Sequence, residues 1–232
     1  MSTVPVVTID GPSGSGKGTI SRSLSRRVGW NLLDSGALYR LVALAGEQAG
    51  LSSDDEGGHA RLAAEMDVRF ATSPGGGERV LLGGRDVSSA IRSERAGQGA
   101  SRVAAWPAVR AALLERQRAF ATPPGLIADG RDMGSVVFPS ADLKIFLTAS
   151  PAERAARRHK QLKDKGSDVS LAGLSREIAE RDARDSTRSI APLKPAPDAH
   201  VIDSTSLSIE QVVDLVFVLG CKPGKRRALW NC

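Results

Sequence analysis

A glycine-rich segment near the start of the chain constrains the fold more than any other feature. Residues 11–19 are Gly-Pro-Ser-Gly-Ser-Gly-Lys-Gly-Thr, directly after the apolar, β-branched run 4–9 and directly before a segment with helical periodicity. Glycines let the backbone turn tightly enough for several N–H groups to converge on one anion, and the N-terminus of the following helix adds positive potential. The segment therefore predicts a strand, loop and helix that together bind phosphate.

Lys17 supplies the charge that such a loop needs. Its ammonium would contact the β- and γ-phosphates of a nucleotide. The next residue is Gly18, where many phosphate-binding loops have serine or threonine, so Thr19 is the hydroxyl expected to assist at phosphate or at a magnesium ion. The loop residues predicted to bind ATP are Gly11, Pro12, Ser13, Gly14, Ser15, Gly16, Lys17, Gly18 and Thr19.

Short apolar runs alternate with helical segments along the rest of the chain. After the first run, these lie at 32–33, 126–128, 144–147 and 200–202, and each is followed by a polar or acidic residue. The alternation predicts an α/β fold with a five-stranded parallel sheet flanked by helices. Ligands bind at the carboxyl ends of the strands in such a sheet, so the polar residues after the strands are candidates for function.

The stretch 51–107 breaks this alternation. Residues 67–71 and 79–82 have strand-like patterns, and Gly83-Gly84 suits a two-residue hairpin turn that needs positive φ. We therefore predict a small antiparallel sheet with nearby helices, inserted into the parallel core.

Composition narrows the classes of function. The 232 residues carry a net charge of +6, which favours anionic ligands but does not separate a nucleotide from a nucleic acid or a membrane surface. Aromatic residues are only 4% of the chain, too few to favour stacking platforms for single-stranded nucleic acid. The two cysteines match no metal spacing and are too few for a disulfide scaffold. With no signal-peptide pattern at the N-terminus, we expect a cytoplasmic protein with no membrane or nucleic-acid partner.

Two further motifs follow predicted strands. Residues 33–40 are Leu-Asp-Ser-Gly-Ala-Leu-Tyr-Arg, and residues 127–134 are Ile-Ala-Asp-Gly-Arg-Asp-Met-Gly. With the glycine loop and an Arg-Asp-x-x-Asp segment at 181–185, they make the chain resemble the bacterial cytidylate kinases from about residue 6 to residue 213. The Gly-Lys-Gly-Thr variant of the loop also resembles nucleoside monophosphate (NMP) kinases more than GTPases or motor ATPases.

The resemblance implies a P-loop kinase fold with an inserted NMP-binding domain and a short lid. It implies transfer of a phosphoryl group from ATP to CMP or dCMP with Mg²⁺ as cofactor, by a monomer. The implied divisions are a core of residues 1–39, 120–153 and 189–220, an NMP-binding domain of residues 40–119, a lid with its following helix in 154–188, and a basic tail in 221–232.

The resemblance also implies residue roles. Guanidinium forks match phosphate oxygens in geometry and in charge, which suits Arg40 and Arg131 to the acceptor phosphate. Arg157 is the expected further ATP ligand. The residues expected to take part in catalysis are Lys17, Arg131, Arg181 and Arg188. Those expected to bind CMP are Ser35, Arg40, Ser101, Arg110, Arg131, Asp132, Asp185 and Arg188.

The residues alone leave several interpretations open. Asp129 could order Mg²⁺ through water or cap the turn after its strand, and no direct metal ligand is expected. Charged pairs along 177–188 could line the reaction centre or decorate a solvated face. The basic cluster of Arg154, Arg157 and Arg158 could approach ATP or remain solvated.

Three other classes of function are compatible with parts of the sequence. Another small-molecule P-loop kinase, for uridylate or shikimate, would share Lys17 but need other acceptor residues. A GTPase or ATPase switch would have serine or threonine at position 18, where this chain has glycine. A nucleic-acid-binding protein would use the net positive charge.

Overall fold

The computed structural model describes residues 4–72, 78–164, 166, 168–221 and 229–230. The chain forms two compact units, one of residues 1–34 with 118–232 and one of residues 35–117. The assignment of residues 40–119 to NMP binding and of residues 154–188 to a lid stays a prediction.

The elements follow one another with short connections. The strands are β1 (Val6–Asp10), β2 (Asn31–Asp34), β3 (Val68–Thr72), β4 (Glu78–Leu82), β5 (Arg85–Asp86), β6 (Leu126–Gly130), β7 (Leu143–Thr148) and β8 (His200–Asp203). The helices are α1 (Lys17–Val28), α2 (Ser35–Gln48), α3 (Glu56–Glu65), α4 (Glu94–Val103), α5 (Pro107–Arg118), α6 (Pro151–Lys163), α7 (Leu171–Thr187) and α8 (Ile209–Cys221). A 3₁₀ turn spans Ala90–Arg92, and a π-helical turn spans Met133–Val137.

A parallel sheet forms the centre of the first unit. Its strand order is β2-β6-β1-β7-β8, and every neighbouring pair is parallel. All five residues of β1 and of β6 are buried, because a parallel sheet is covered on both faces. The α/β fold with a five-stranded parallel sheet, predicted from the alternation of runs, is confirmed. One face packs on α1 and α8 through an apolar cluster that includes Ile9, Leu24, Ile145, Val212 and Val216.

The register of the sheet brings the polar strand ends together. Asp34 lies beside Asp129 at the ends of β2 and β6. In β1, Ile9 pairs with Asp129 and Asp10 pairs with Gly130. Because side chains alternate between the faces of a sheet, Asp129 shares the face of Ile9, and Asp10 points to the opposite face. The two acidic side chains therefore lie on opposite faces of the sheet at the carboxyl ends of its strands.

The second unit contains an antiparallel sheet in the order β3-β4-β5. Leu82 pairs with Arg85, and Gly83 and Gly84 between them have φ values of 54° and 78°. The predicted two-residue hairpin turn is therefore present, with the positive φ at both positions that only glycine adopts at no cost. Helices α2 and α4 approach closely, since a Cβ at Gly99 would lie 2.9 Å from the Ala43 side chain.

The described end of the C-terminal tail packs on the core. The ring of Trp230 stacks on Phe217 with centroids 5.5 Å apart and meets Trp30 edge to face at 5.4 Å. Its indole N–H donates to the Phe217 carbonyl oxygen at 3.0 Å. The basic residues 222–227 lie outside the described part of the chain. Cys221 is disulfide-bonded, which the sequence reasoning did not anticipate.

Among the helices built from described residues, none has both the length and the apolar character needed to cross a bilayer.

We expect Trp230→Ala to lower the free energy of unfolding by about 1–3 kcal/mol. A fully buried tryptophan loses roughly 3–5 kcal/mol on truncation, and Trp230 is only half-buried. Urea denaturation measures the change. Leu215→Ala on α8 is the control, because Leu215 is exposed and its truncation should cost less than about 0.5 kcal/mol. Equal stability of Trp230→Ala and wild type would contradict the packing described for the tail.

Candidate functional site

The glycine loop connects the carboxyl end of β1 to α1. A Cβ at Gly11, where φ is 152°, would overlap the carbonyl oxygen of Leu147 on β7. At Gly14, where φ is 76°, a Cβ would lie 2.9 Å from the carbonyl oxygen of Arg154. The loop thus passes so close to β7 and α6 that neither position accepts a side chain.

Helix α1 begins at Lys17 with its first turn suited to an anion. Gly16 precedes it with φ of 93°. Among the described residues, no side chain caps this end by a hydrogen bond, and the first turn contains no acidic residue. The first N–H groups of a helix lack intrahelical partners and carry partial positive charge, so this end has the features of a phosphate site.

Lys17 is held against the loop that precedes it. Its ammonium donates to the Pro12 carbonyl oxygen at 3.0 Å. Burial, followed by the nearby charge of Arg131, lowers the pKa of Lys17 to about 7, although Asp129 opposes the shift. The Lys17 ammonium therefore loses its proton readily, and a neighbouring anion would stabilise its protonated form.

Asp129 occupies the space next to Gly18. A Cβ at Gly18 would lie 3.2 Å from the Asp129 carboxylate and 3.4 Å from the Arg22 guanidinium. Burial raises the pKa of Asp129 to about 6; Lys17 opposes this shift and the Asp34 carboxylate adds to it. Within the described ranges, no group of three or more His, Cys, Asp or Glu residues is placed to hold a metal ion.

A buried carboxylate joins the motif after β6 to α7. Arg131 donates through Nε to Oδ2 of Asp185 at 2.8 Å, and through Nη1 to the Gly11 carbonyl oxygen. Arg181 lies 3.9 Å from the same Asp185 oxygen and donates to the Ser13 hydroxyl at 3.4 Å. Burial alone would raise the pKa of Asp185, but the surrounding arginines lower it. The predicted residues Arg131, Arg181 and Asp185 thus form one cluster against the glycine loop.

Arginines of α6 hold the loop by its carbonyl oxygens. Arg154 donates to the Ser13 carbonyl oxygen at 3.1 Å and contacts Asp182 on α7 at 2.6 Å. Arg157 donates to the Ser15 carbonyl oxygen at 3.4 Å and to the Ser204 hydroxyl at 3.0 Å. Arg154 is therefore buried among protein acceptors, an outcome that neither interpretation of the basic cluster included.

Two more predicted residues lie in the first unit. Asp132 is 2% exposed and directly precedes the π-helical turn. Arg188 follows α7 and donates through Nε to the Ala191 carbonyl oxygen at 2.6 Å. Asp132 is thus adjacent in sequence to Arg131, and Arg188 lies just after the helix that carries Asp185.

The remaining predicted residues lie in the second unit. Ser35 begins α2 and is buried, and Arg40 on the same helix donates to the Ile91 carbonyl oxygen at 3.1 Å. Ser101 is buried on α4. Arg110 on α5 is only 9% exposed, and its guanidinium lies 5.9 Å from the centre of the Tyr39 ring. Without the resemblance, the sequence would have suggested an ordinary exposed arginine at position 110.

Sequence reasoning assigned no role to Asp10 and did not anticipate that Arg154 would hold the glycine loop. Asp10 is 6% exposed and accepts backbone hydrogen bonds from Met133 and Gly134, and Arg154 is 4% exposed. An acidic residue between a buried strand and a glycine loop was a visible signal for Asp10. Arg154 gave no such signal, because its partners lie far away in the sequence.

Comparison with known proteins decides the family. The sequence profile described as cytidylate kinase matches residues 7–219. The chain belongs to the cytidylate kinase family. The resemblance inferred from the motifs is therefore confirmed, and the match covers both compact units.

Relatives named cytidylate kinase are similar over nearly their whole length. The relative from Pseudomonas savastanoi pv. phaseolicola is 62% identical over 213 residues, which cover 91% of this chain and 93% of that protein. The relative from Pseudomonas aeruginosa (strain LESB58) is 59% identical, with 92% and 93% covered, and that from Shewanella loihica is 59% identical, with 91% and 92% covered. Among solved structures, the chain is similar to a shikimate kinase from Acinetobacter baumannii at 15% identity and a TM-score of 0.43, with 95% and 96% covered.

We expect Arg131→Lys to destabilise this family member despite keeping the charge. A lysine ammonium cannot reproduce the two-directional contacts to Gly11 and Asp185, so the buried carboxylate loses part of its hydrogen bonding. The expected loss in the free energy of unfolding is about 1–3 kcal/mol, measured by urea denaturation. Arg184→Lys on α7 is the matched control, because Arg184 is exposed. If both variants have the same stability, Arg131 does not hold the cluster together.

Proposed function

We propose that this chain catalyses ATP-dependent phosphorylation of CMP and dCMP to CDP and dCDP by direct in-line transfer. The observation that carries the proposal is the contact of Arg131 with the Gly11 carbonyl oxygen. It joins the motif expected to bind the acceptor phosphate to the loop expected to bind ATP, in a chain whose relatives are named cytidylate kinase.

The roles of the individual residues follow the chemistry of phosphate binding. The loop of residues 11–19 binds the β- and γ-phosphates of ATP through backbone N–H groups and the Lys17 ammonium; Pro12 has no N–H, and the Thr19 N–H donates to the Gly16 carbonyl oxygen. Arg157 is a further ATP ligand. Arg131, Arg181 and Arg188 neutralise the charge on the reacting phosphates. The residues proposed to bind CMP are Ser35, Arg40, Ser101, Arg110, Arg131, Asp132, Asp185 and Arg188.

The reaction needs no strong general base. The acceptor is already a phosphate oxyanion, so catalysis rests on alignment and on neutralising charge that spreads over the transferred oxygens. The cluster of Lys17, Arg131 and Arg181 supports this mechanism. Burial lowers the pKa of Lys17 most, and the charges of Arg131 and Arg181 lower it further, so the three groups interact. A polyanion bound there would relieve their mutual repulsion.

Mg²⁺ accompanies ATP in the proposed reaction. Asp129 would hold the ion through water, and Thr19 would offer a hydroxyl oxygen, which are donors that magnesium accepts. The pKa of Asp129, raised to about 6 by burial, fits this role because a nearby dication favours the ionised carboxylate. When bound, the ion neutralises the phosphate charge.

The setting of the enzyme is part of the proposal. We infer a cytoplasmic monomer that acts on free nucleotides and not on nucleic acid or a membrane. Sedimentation velocity tests the monomer, and binding to duplex or single-stranded DNA at physiological salt would contradict the choice of free nucleotides.

An assay of ADP release tests the activity directly. We expect rapid turnover with CMP and dCMP, and slow or absent turnover with AMP and shikimate. Lys17→Met is the matched inactive control, since it removes the preorganised charge and keeps the length of the side chain. Turnover with shikimate above that with CMP would overturn the choice of acceptor.

We expect at least about a tenfold preference in kcat/KM for CMP over UMP. The exocyclic amine of cytosine donates to the Asp132 carboxylate, whereas uracil turns an acceptor oxygen toward it, and such a mismatch costs about 1–3 kcal/mol. Asp132→Asn should erode the preference, because an amide can donate to the uracil oxygen. The values of kcat/KM for CMP and UMP are compared in wild type and variant. If their ratio is unchanged and activity falls on both nucleotides, Asp132 has a structural role and does not recognise the base.

ATP binding at pH 8 should take up close to one proton. Lys17, with a pKa of about 7, is mostly neutral at this pH, and bound phosphates raise its pKa so that it regains the proton from the buffer. Titration calorimetry in two buffers with different ionisation enthalpies measures the uptake. Lys17→Arg is the control, because arginine keeps its charge at every pH tested and takes up no proton. An equal uptake by both proteins would assign the proton to another group.

A further inference from the structure

Asp10 is a buried carboxylate outside the residues proposed to bind nucleotides. It ends β1 and is only 6% exposed. Its Oδ1 accepts the Met133 N–H and its Oδ2 accepts the Gly134 N–H, both at 2.8 Å. Both oxygens of one carboxylate are thus used to hold the backbone of a distant segment, 123 and 124 residues away.

Asp10 and its partners are next in sequence to residues that are proposed to bind nucleotides. Asp10 directly precedes Gly11, the first residue of the phosphate loop, and Met133 directly follows Asp132. Arg131 adds a third hydrogen bond between the same two segments, from its guanidinium to the Gly11 carbonyl oxygen. Residues 10–11 and 131–134 are therefore joined by two hydrogen bonds from backbone N–H groups to the Asp10 carboxylate and one from the Arg131 guanidinium to a backbone carbonyl oxygen.

We propose that Asp10 is a positioning residue that fixes Arg131 and Asp132 relative to the phosphate loop. The proposal rests on the proposed function, in which the loop binds ATP and the two other residues bind CMP. In-line phosphoryl transfer depends on the alignment of the two nucleotides, and a misplacement of about 1 Å can cost on the order of 100-fold in rate.

The surroundings of Asp10 support a specific need for a carboxylate. Burial raises its pKa to about 7, and the Asp132 and Asp129 carboxylates add to the shift, whereas the two backbone N–H groups oppose it. Burial thus disfavours the ionised form of Asp10, and the two backbone N–H groups favour it. Only a carboxylate of this length accepts from two neighbouring N–H groups at once, because an amide would turn its own N–H₂ toward one of them.

Asp10→Asn tests the proposal by its effect on the two Michaelis constants. We expect the KM for CMP to rise at least about tenfold, while the KM for ATP changes less than about threefold. We also expect the CMP to UMP ratio in kcat/KM to fall, since Asp132 loses its fixed position. Loss of stability alone would lower the active fraction, and therefore the apparent kcat, without separating the two KM values.

Asp142→Asn is the control, because Asp142 is a structural aspartate that directly precedes β7 and binds the other end of β1. Asp142 accepts the Val6 N–H at 2.9 Å at the amino end of β1, far from the loop. It should leave both KM values and the nucleotide ratio unchanged. An Asp10→Asn enzyme with the KM values and ratio of wild type overturns the positioning role. A wild-type enzyme inactive on CMP would instead overturn the proposed function.

Hydrogen exchange of the wild-type protein provides a test that does not depend on any variant folding. If Asp10 holds the acceptor motif in place before substrate binds, the Met133 and Gly134 amides exchange as slowly in the nucleotide-free protein as the amides of β1. Exchange of these two amides at the rate of exposed loops would show that the positioning contact is not formed in advance, and would overturn the proposal.

Discussion

The whole site depends on the hydrogen bonds that the backbone of the glycine loop accepts. Carbonyl oxygens at positions 11, 13 and 15 accept from Arg131, Arg154 and Arg157, and the Pro12 carbonyl oxygen accepts from Lys17. Because basic side chains bind these carbonyl oxygens, the loop is anchored through its backbone acceptors, which agrees with the proposal that its N–H groups bind an anion. The glycines permit this arrangement, since a Cβ at Gly11 or Gly14 would strike β7 or α6. In the proposed function, the anchoring of the loop and its binding of an anion therefore have one structural origin.

The same arrangement gathers more positive charge than a protein interior favours. Burial together with Arg131 and Arg181 lowers the pKa of Lys17, and Asp185 compensates by lying between two of the arginines. Such preorganised charge costs stability in the absence of ligand and needs no rearrangement when phosphate arrives. Asp129 and Asp34, side by side at the ends of their strands, add opposite charge at the same edge. This combination of clustered positive charge and nearby carboxylates suits a site for a polyanion and its cation.

Sequence reasoning succeeded where local chemistry determines local structure. The positive φ of Gly83 and Gly84 followed from the needs of a two-residue turn, and the five strands followed from short apolar runs. The glycine loop, the motifs after β2 and β6 and the segment 181–185 together indicated the cytidylate kinase family, which the profile match confirms. The role of each predicted site residue stays a prediction, because the sequence gives the residue types and the family but no contacts.

By itself the sequence determined the α/β fold, the glycine loop and the family, because these depend on periodicity and on short motifs of adjacent residues. Only the tertiary structure decided that Asp10 holds Met133 and Gly134, and that Arg154 holds both the loop and α7. It also decided that Trp230 covers Trp30. Each of these contacts joins residues separated by many positions in the chain, and their partners are often backbone atoms, which every residue type has in common. No pattern of side chains could reveal such partners, since the fold alone brings them within bonding distance.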